Sequence, residues 1–156
     1  GDALARALAE AGRDLGVTPY GTEALAVMRV EKGHVAGAEL NGQTVARDLG
    51  LGRMMSRKKD YVGRVMAERE ALNDPARPTL VGLRPTVAGV RLRAGAHFLP
   101  LGAPPTAEND QGYLTSTAFS PALGHWIGLG LLSNGPQRIG GQIRAYDPVR
   151  GGAVVV

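Results

Sequence analysis

Near its middle, this chain of 156 residues changes from one hydrophobic pattern to another. In the first half apolar residues recur at helical spacing, and in the second half short apolar runs alternate with Gly and Pro. The change falls at Asn73-Asp74-Pro75-Ala76-Arg77-Pro78, a composition typical of turns and linkers. We therefore predict an α+β protein with a helical part, residues 1–74, followed by a part built from strands, residues 75–156.

Three helices are predicted in the first part. Residues 1–16 carry apolar side chains at the i, i+4, i+7 spacing of one helix face, with Asp2 as N-cap and Gly16 at the C-terminal end. The second helix begins at residue 21 or 22 and ends near residue 33. Its predicted inner face consists of Ala24, Leu25 and Met28. Asp60 is expected to cap a third helix over residues 61–69.

Seven short strands are predicted after the linker. They cover residues 79–84, 90–93, 97–100, 112–120, 126–132, 141–146 and 153–156. The 23 Gly and 10 Pro residues make up about a fifth of the chain, which favours turns and short strands over a helical bundle. Short strands at this spacing favour a small antiparallel β-barrel or a sandwich.

Composition narrows the possible functions. The chain has no Cys, which excludes a disulfide framework, a zinc ribbon and a thiol nucleophile. The net charge is +4, and 15 of the 18 basic residues are Arg, which is compatible with a nucleic acid, an anionic ligand or no specific partner. Two Phe and one Trp provide no platform for stacking bases, so no nucleic-acid partner is expected. No apolar run approaches the roughly 18 residues that span a bilayer, and no membrane association is expected.

Most catalytic motifs are incomplete. The three histidines do not stand at metal-ligand spacing, so no metal site is expected. Gly50-Leu51-Gly52 and Gly128-Leu129-Gly130 each lack the third glycine of a dinucleotide fingerprint. These glycines are expected instead to allow tight turns or close packing of strands. No Gly-x-Ser-x-Gly elbow of a serine hydrolase is present.

Two basic features remain as candidate binding residues. Arg29 lies in an otherwise apolar helical segment, where an arginine usually pairs with a carboxylate. The partner is either an acid of the protein, Glu31 or Glu23, or an acid of a ligand, and the residues alone favour the protein acid. The second feature is the densest basic run, Arg53, Arg57, Lys58 and Lys59. This run is either a solvated face or a binding surface for carboxylates or for an acidic partner.

Several motifs, taken in order, resemble a known family. Arg29-Val30-Glu31-Lys32-Gly33 stands where the family has Arg-Leu-Glu-Ala-Gly, and Lys58-Lys59-Asp60-Tyr61-Val62-Gly63 where it has Lys-Lys-Asp-Phe-Ile-Gly. Residues 112–116, 119–124 and 146–152 follow the family's terminal barrel. Across nearly the whole chain, this order resembles the alpha subunits of bacterial heterotetrameric sarcosine oxidases. Part of these subunits is similar to the tetrahydrofolate-dependent aminomethyltransferase, or T-protein, of glycine cleavage.

The resemblance implies a fold and an activity. The fold is the helical end of a folate-binding domain followed by a small antiparallel C-terminal β-barrel. The parent enzyme would demethylate sarcosine oxidatively to glycine and pass the one-carbon unit to tetrahydrofolate, giving 5,10-methylenetetrahydrofolate, or formaldehyde without folate. FAD, FMN and NAD would lie in other regions or subunits, and the partners would be the other subunits in the bacterial cytoplasm. The alternatives are a T-protein, a dimethylglycine-oxidising enzyme or a non-catalytic basic binding module.

The resemblance also implies roles for individual residues. Arg29 would contact folate, whose glutamate carboxylate a guanidinium grips bidentately, while Glu31 would orient Arg29 and Tyr20 would line the pocket. The family's catalytic acid would fall before Gly1, so the chain is expected to be an inactive fragment with no bound cofactor of its own. A polyglutamate tail or a partner subunit would be contacted by Arg57, Lys58 and Lys59.

Overall fold

The computed structural model describes residues 1–156 and confirms the α+β class. Three helices come first: α1 (Asp2–Ala11), α2 (Thr22–Lys32) and α3 (Arg64–Ala67). Six strands follow: β1 (Pro78–Leu83), β2 (His97–Leu99), β3 (Gly112–Ser120), β4 (His125–Ser133), β5 (Arg144–Tyr146) and β6 (Ala153–Val155). None of the helices has the length and apolar character needed to cross a membrane.

The strands form a single antiparallel sheet in the order β1-β4-β3-β2-β5-β6. The long hairpin of β3 and β4 lies near its centre, and each of these strands has nine residues. The two sheet edges meet just after β1, where the backbone N–H of Thr86 donates to the carbonyl of Val155 at 2.9 Å. The expected small antiparallel barrel is therefore confirmed.

Strand β4 separates two hydrophobic cores. Side chains alternate across a strand, so Leu132 faces the barrel interior while Ile127 and Leu129 face the other side. The interior core contains Leu92, Ala96, Phe98, Leu114, Leu132, Ile143, Ala145 and Val156. The outer core joins Val30 of α2 to Ala118, Ile127 and Leu129. Helix α2 thus attaches the helical part to the barrel through apolar contacts.

Glycines in β4 let the barrel close tightly. A Cβ at Gly130 would lie 2.6 Å from Phe98 Cζ and 2.9 Å from the carbonyl oxygen of Tyr113. A Cβ at Gly128 would lie 3.1 Å from the nearest backbone oxygen. Gly50 instead has a φ of 74° and lies in a turn. The prediction that these glycines serve turns and close strand packing is confirmed.

Two predicted helices differ from the observed ones. Helix α1 ends at Ala11, a separate short 3₁₀ turn precedes Gly16, and Gly1 rather than Asp2 is the N-cap. Asp2 instead forms an i,i+4 ion pair within α1. Helix α3 is a single turn, because Gly63 immediately before it has a φ of 88° and interrupts the helix predicted from residue 61.

The inner face predicted for α2 is wrong. Val27 and Val30 pack against the barrel, whereas Leu25 is 50% exposed and Met28 is 46% exposed. Apolar residues surround much of this helix, so their periodicity does not select one face, and the position of the sheet does. The strand predicted at residues 90–93 does not form, although Leu92 within it is buried in the interior core.

We expect Gly130→Ala to lower the free energy of unfolding by roughly 1–3 kcal/mol, because the new methyl group overlaps the Phe98 ring. Gly82→Ala in β1 is the matched control, since nothing lies within 4 Å of a Cβ there. Urea unfolding followed by circular dichroism measures both variants. Equal stability of the two variants would contradict the close packing.

We also expect the chain to self-associate through α1, which buries none of its residues. Leu4 and Leu8 are 64% and 61% exposed on one face of this helix, and exposed apolar patches favour association. Leu8→Glu should shift the protein towards monomer in sedimentation velocity runs at high concentration. Ala9→Glu, on a different face of α1, should leave the association intact; wild-type protein that is monomeric throughout would refute the prediction.

Candidate functional site

Arg29 reaches from α2 across to the barrel. Its Nη2 donates to Ser116 Oγ of β3 at 2.7 Å, and its Nη1 donates to Glu39 Oε2 at 3.2 Å and to the carbonyl of His34 at 3.3 Å. The guanidinium therefore pairs with an acid of the protein, as the residues alone favoured. That acid is Glu39 and neither of the two nearer candidates.

The carboxylate of Glu39 is completely buried. Its Oε1 accepts hydrogen bonds from the hydroxyls of Thr115 at 2.6 Å and Ser116 at 2.5 Å. Its Oε2 accepts from the backbone N–H of Ala36 at 2.8 Å as well as from Arg29. Burial alone would raise the pKa of Glu39, but the hydrogen bonds from Ser116, Thr115 and Ala36, together with the charge of Arg29, hold it below its ordinary value. The group is therefore ionised at neutral pH and unsuited to proton transfer there.

An irregularity in β3 makes this network possible. Leu114 pairs with Gly130 and Ser116 pairs with Leu129, so Thr115 is an extra residue in the strand. In a regular strand adjacent side chains point to opposite faces, but a bulge turns one of them. Here the hydroxyls of Thr115 and Ser116 both reach the same carboxylate oxygen.

Part of the Arg29 guanidinium remains available. Arginine has five N–H groups, and three of them donate to the protein in this structure. The Nε–H and one Nη2–H donate to no protein atom, and the side chain is 25% exposed. The network thus holds a cation in a fixed orientation with two donors left for an anion.

The structure does not bring Glu31 to Arg29. The carboxylate of Glu31 accepts a hydrogen bond from Ser120 Oγ at 2.5 Å. Residues two apart in a helix lie on nearly opposite sides of it, so the prediction that Glu31 orients Arg29 is wrong, and Glu39 does so instead. Tyr20 lies just before α2, is 66% exposed and makes no hydrogen bond, and its predicted pocket role stays a prediction.

A second ion pair anchors the segment before β1. Arg77 donates to both carboxylate oxygens of Asp48, from Nε at 3.1 Å and from Nη2 at 2.6 Å. Asp48 is buried, and its hydrogen bonds raise the pKa of Arg77. Arg77 also donates to the carbonyl of Gln43 at 2.7 Å. These contacts tie the predicted linker to the loop that contains Gln43 and Asp48. The division of the chain into two domains at residues 74 and 75 stays a prediction.

The remaining candidates lie outside the Arg29 network. Arg57, Lys58 and Lys59 are exposed and form no ion pair or hydrogen bond with that network. No three His, Cys, Asp or Glu side chains come together in an arrangement that could hold a metal ion.

Three residues of the site were not found from the sequence: Glu39, Thr115 and Ser116. An arginine inside an apolar helix is a signal for a buried acid, but it does not say which acid. Glu39 lies ten residues from Arg29, and Ser116 lies 87 residues from it. Only the folded arrangement of the loop and the bulged strand identifies them.

Comparison with known families agrees with this architecture. The GCVT N-terminal domain matches residues 1–59, and the glycine cleavage T-protein C-terminal barrel domain matches residues 79–154. The crystal structure of glycine cleavage system aminomethyltransferase T from Bartonella henselae superposes with a TM-score of 0.75 at 24% identity. This similarity covers 98% of the present chain and 42% of the other, and it shows a shared fold. The chain belongs to the T-protein family.

Within that family, the resemblance to sarcosine oxidase alpha subunits is confirmed. The chain is 47% identical over 152 residues to sarcosine oxidase subunit alpha of Rhizobium meliloti (strain 1021), which covers 97% of this chain. Identity to the corresponding subunit of Corynebacterium sp. (strain P-1) is 38% over 149 residues, or 94% of this chain. The chain spans 15% of the length of each of these relatives. Identity to aminomethyltransferase of Prochlorococcus marinus (strain MIT 9303) is 32%, over 86% of this chain and 37% of that protein.

We expect Glu39→Gln to lower the free energy of unfolding by about 2–4 kcal/mol at neutral pH, because Arg29 loses its charged partner. The folded-state pKa of Glu39 lies below its ordinary value of 4.5, so the stabilisation by its charge is complete above that pH and disappears as the pH falls through the lowered pKa. The difference between wild type and variant should therefore be constant near neutrality and shrink in acid.

Urea unfolding over a series of pH values measures this difference. Glu68→Gln is the control, because Glu68 forms an exposed i,i+4 pair with Arg64 that contributes at most about 0.5 kcal/mol. A loss of stability with Glu39→Gln that stays unchanged into strong acid would show that its charge is not what stabilises the fold.

Proposed function

We propose that this chain is part of a sarcosine oxidase alpha subunit and contributes to its folate site. In this proposal the whole protein demethylates sarcosine oxidatively to glycine and passes the one-carbon unit to tetrahydrofolate, giving 5,10-methylenetetrahydrofolate, or formaldehyde without folate. The 47% identity to the Rhizobium meliloti subunit supports the assignment. FAD, FMN and NAD would be bound by other regions or subunits of the enzyme, in the bacterial cytoplasm, and would carry the oxidation.

The arrangement of Arg29 is the observation that carries the proposal. Tetrahydrofolate ends in a glutamate carboxylate, and a guanidinium with unused N–H donors suits such a group. Glu39 and Ser116 already hold the guanidinium, so less side-chain freedom is lost when a ligand binds. Arg29 would thus grip the ligand, while Glu39 keeps its orientation without touching the ligand's reacting atoms. Tyr20 remains a proposed member of the same pocket.

A T-protein is the second candidate. The 32% identity to aminomethyltransferase of Prochlorococcus marinus favours it, and the proposed use of Arg29 would be the same. The two candidates differ in the oxidation step. Oxygen uptake with sarcosine by the natural gene product, isolated together with the subunits that co-purify with it, would support sarcosine oxidase, and its absence from that complex would favour the T-protein.

We expect Arg29→Gln to weaken tetrahydrofolate binding about tenfold to a hundredfold, because two charge-assisted hydrogen bonds are lost. Isothermal titration calorimetry on the natural gene product measures this change. Arg6→Gln is the control, since Arg6 is an exposed arginine of α1 paired only with Asp2.

The double variant Arg29→Gln/Glu39→Gln separates binding from stability. It removes both charges of the buried pair, so no uncompensated charge remains and much of the stability should return. If Arg29 binds folate, the double variant remains defective in binding despite its recovered stability. Wild-type affinity in the double variant would show that Arg29 serves the fold alone.

A further inference from the structure

Most half-buried arginines of this structure are paired with a carboxylate of the protein. These pairs are Arg29 with Glu39, Arg64 with Glu68 and Arg77 with Asp48. The other two half-buried arginines, Arg138 and Arg144, form no ion pair. Arg138 donates to the side-chain oxygen of Gln111 at 2.7 Å. The guanidinium of Arg144, on β5, makes a single hydrogen bond, from Nη2 to the backbone carbonyl of Ala103.

The Nε of Arg144 is completely buried and has no hydrogen-bond partner. No other buried side-chain nitrogen or oxygen in the structure lacks a partner. A buried donor without an acceptor loses the free energy of its hydration, and a half-buried cation without a counter-charge adds to that cost. Arg144 thus lacks both an acceptor and a negative charge, which the paired arginines have.

The acids of the segment that contains Ala103 do not supply this charge. Asp110 accepts a hydrogen bond from the backbone N–H of Gly112 at 3.1 Å, and its other carboxylate oxygen lies 2.8 Å from His97 Nδ1. Glu108 forms no ion pair. The chain therefore offers Arg144 no counter-charge of its own.

The ion pair of Arg77 shows which group fits this edge of a guanidinium. Its Nε and Nη2 donate to the two oxygens of one carboxylate, at 3.1 and 2.6 Å. At Arg144 the carbonyl of Ala103 offers one oxygen, which serves Nη2 and leaves Nε without a partner. A carboxylate in the place of this carbonyl would supply acceptors for both nitrogens.

The neighbours of Arg144 on the sheet are apolar. Leu99 of β2 and Val155 of β6 are its cross-strand partners, so the three side chains share one face of the sheet. Leu99 is 2% exposed, and Val155 is half-buried. Attraction between opposite charges is stronger in such surroundings than in water. A single cation among apolar side chains suits a ligand with one negative charge and an apolar body.

We propose that Arg144 binds a small monocarboxylate with an apolar body. The carboxylate would accept hydrogen bonds from Nε and Nη2 of Arg144, and the apolar body would lie against the side chains beside it. A phosphate dianion suits this site less well, because one guanidinium leaves half of its charge unpaired. The site shares no residue with the Arg29 network and does not rest on the function proposed for that network.

Ligand-observed NMR with the natural gene product tests the proposal. Butyrate is the probe, and butyramide, its uncharged amide, is the control ligand. We expect butyrate to bind with a dissociation constant of about 1 mM or below, and butyramide not to bind. Arg144→Met should raise the dissociation constant of butyrate at least about tenfold, because two charge-assisted hydrogen bonds are lost.

The control variant removes the same charge elsewhere. Arg84→Met replaces an exposed arginine that forms no ion pair, and it should leave the affinity for butyrate unchanged. Equal losses of affinity in the two variants would show attraction by net charge alone and overturn the proposal. Failure of butyrate to bind, or its displacement by an equal concentration of phosphate, would overturn it as well.

A stability measurement separates ligand binding from a role in the fold. Without ligand, Arg144→Met should be at least as stable as the wild type in urea unfolding, because it removes an unsatisfied donor and an uncompensated charge. Arg77→Met is the comparison and should be less stable, because the buried Asp48 loses its partner. A comparable loss of stability with Arg144→Met would show that Arg144 serves the fold, and would refute the proposed binding role.

Discussion

A fully buried carboxylate, that of Glu39, is the interaction on which the rest of this structure depends. A charge removed from water is very costly unless it is paired and hydrogen-bonded, so its donors must all be in place at once. They come from three elements: Arg29 of α2, Ala36 of the following loop, and the two hydroxyls of the bulge in the distant strand β3. Satisfying one side chain therefore fixes the position of the helix, the loop and the strand relative to one another.

The barrel contributes to the site as well as to the fold. Its strand β4 presents apolar side chains to the interior on one face and to α2 on the other, which places α2 directly above the bulge of β3. The bulge then supplies Ser116 to both the carboxylate of Glu39 and the guanidinium of Arg29. In the proposed function, the barrel thus keeps a binding residue of the helical part in one orientation before a ligand arrives.

Sequence reasoning succeeded where the signal is local. The C-terminal end of α2 follows from the glycine after it, Gly33, whose φ is 74°, and the predicted bounds of β3 agree with those observed. It failed where a local pattern allowed two outcomes. Apolar residues on several sides of α2 left its buried face undetermined, and the apolar segment around Leu92 enters the core without pairing as a strand. For Arg29, the nature of its partner was predictable, and the identity of that partner was not.

The sequence by itself determined the α+β class, the antiparallel barrel, the membership of the T-protein family and the importance of Arg29, because periodicity, turn residues and ordered motifs are carried by neighbouring residues. Only the tertiary structure decided that Glu39 is the partner of Arg29, and that Ser116 joins them. The contact between Ser116 and Glu39 spans 77 residues, and it forms because an extra residue in β3 turns two hydroxyls to one side. Such a contact depends on how a bulged strand, a loop and a helix pack together, and patterns among neighbouring residues do not predict that packing.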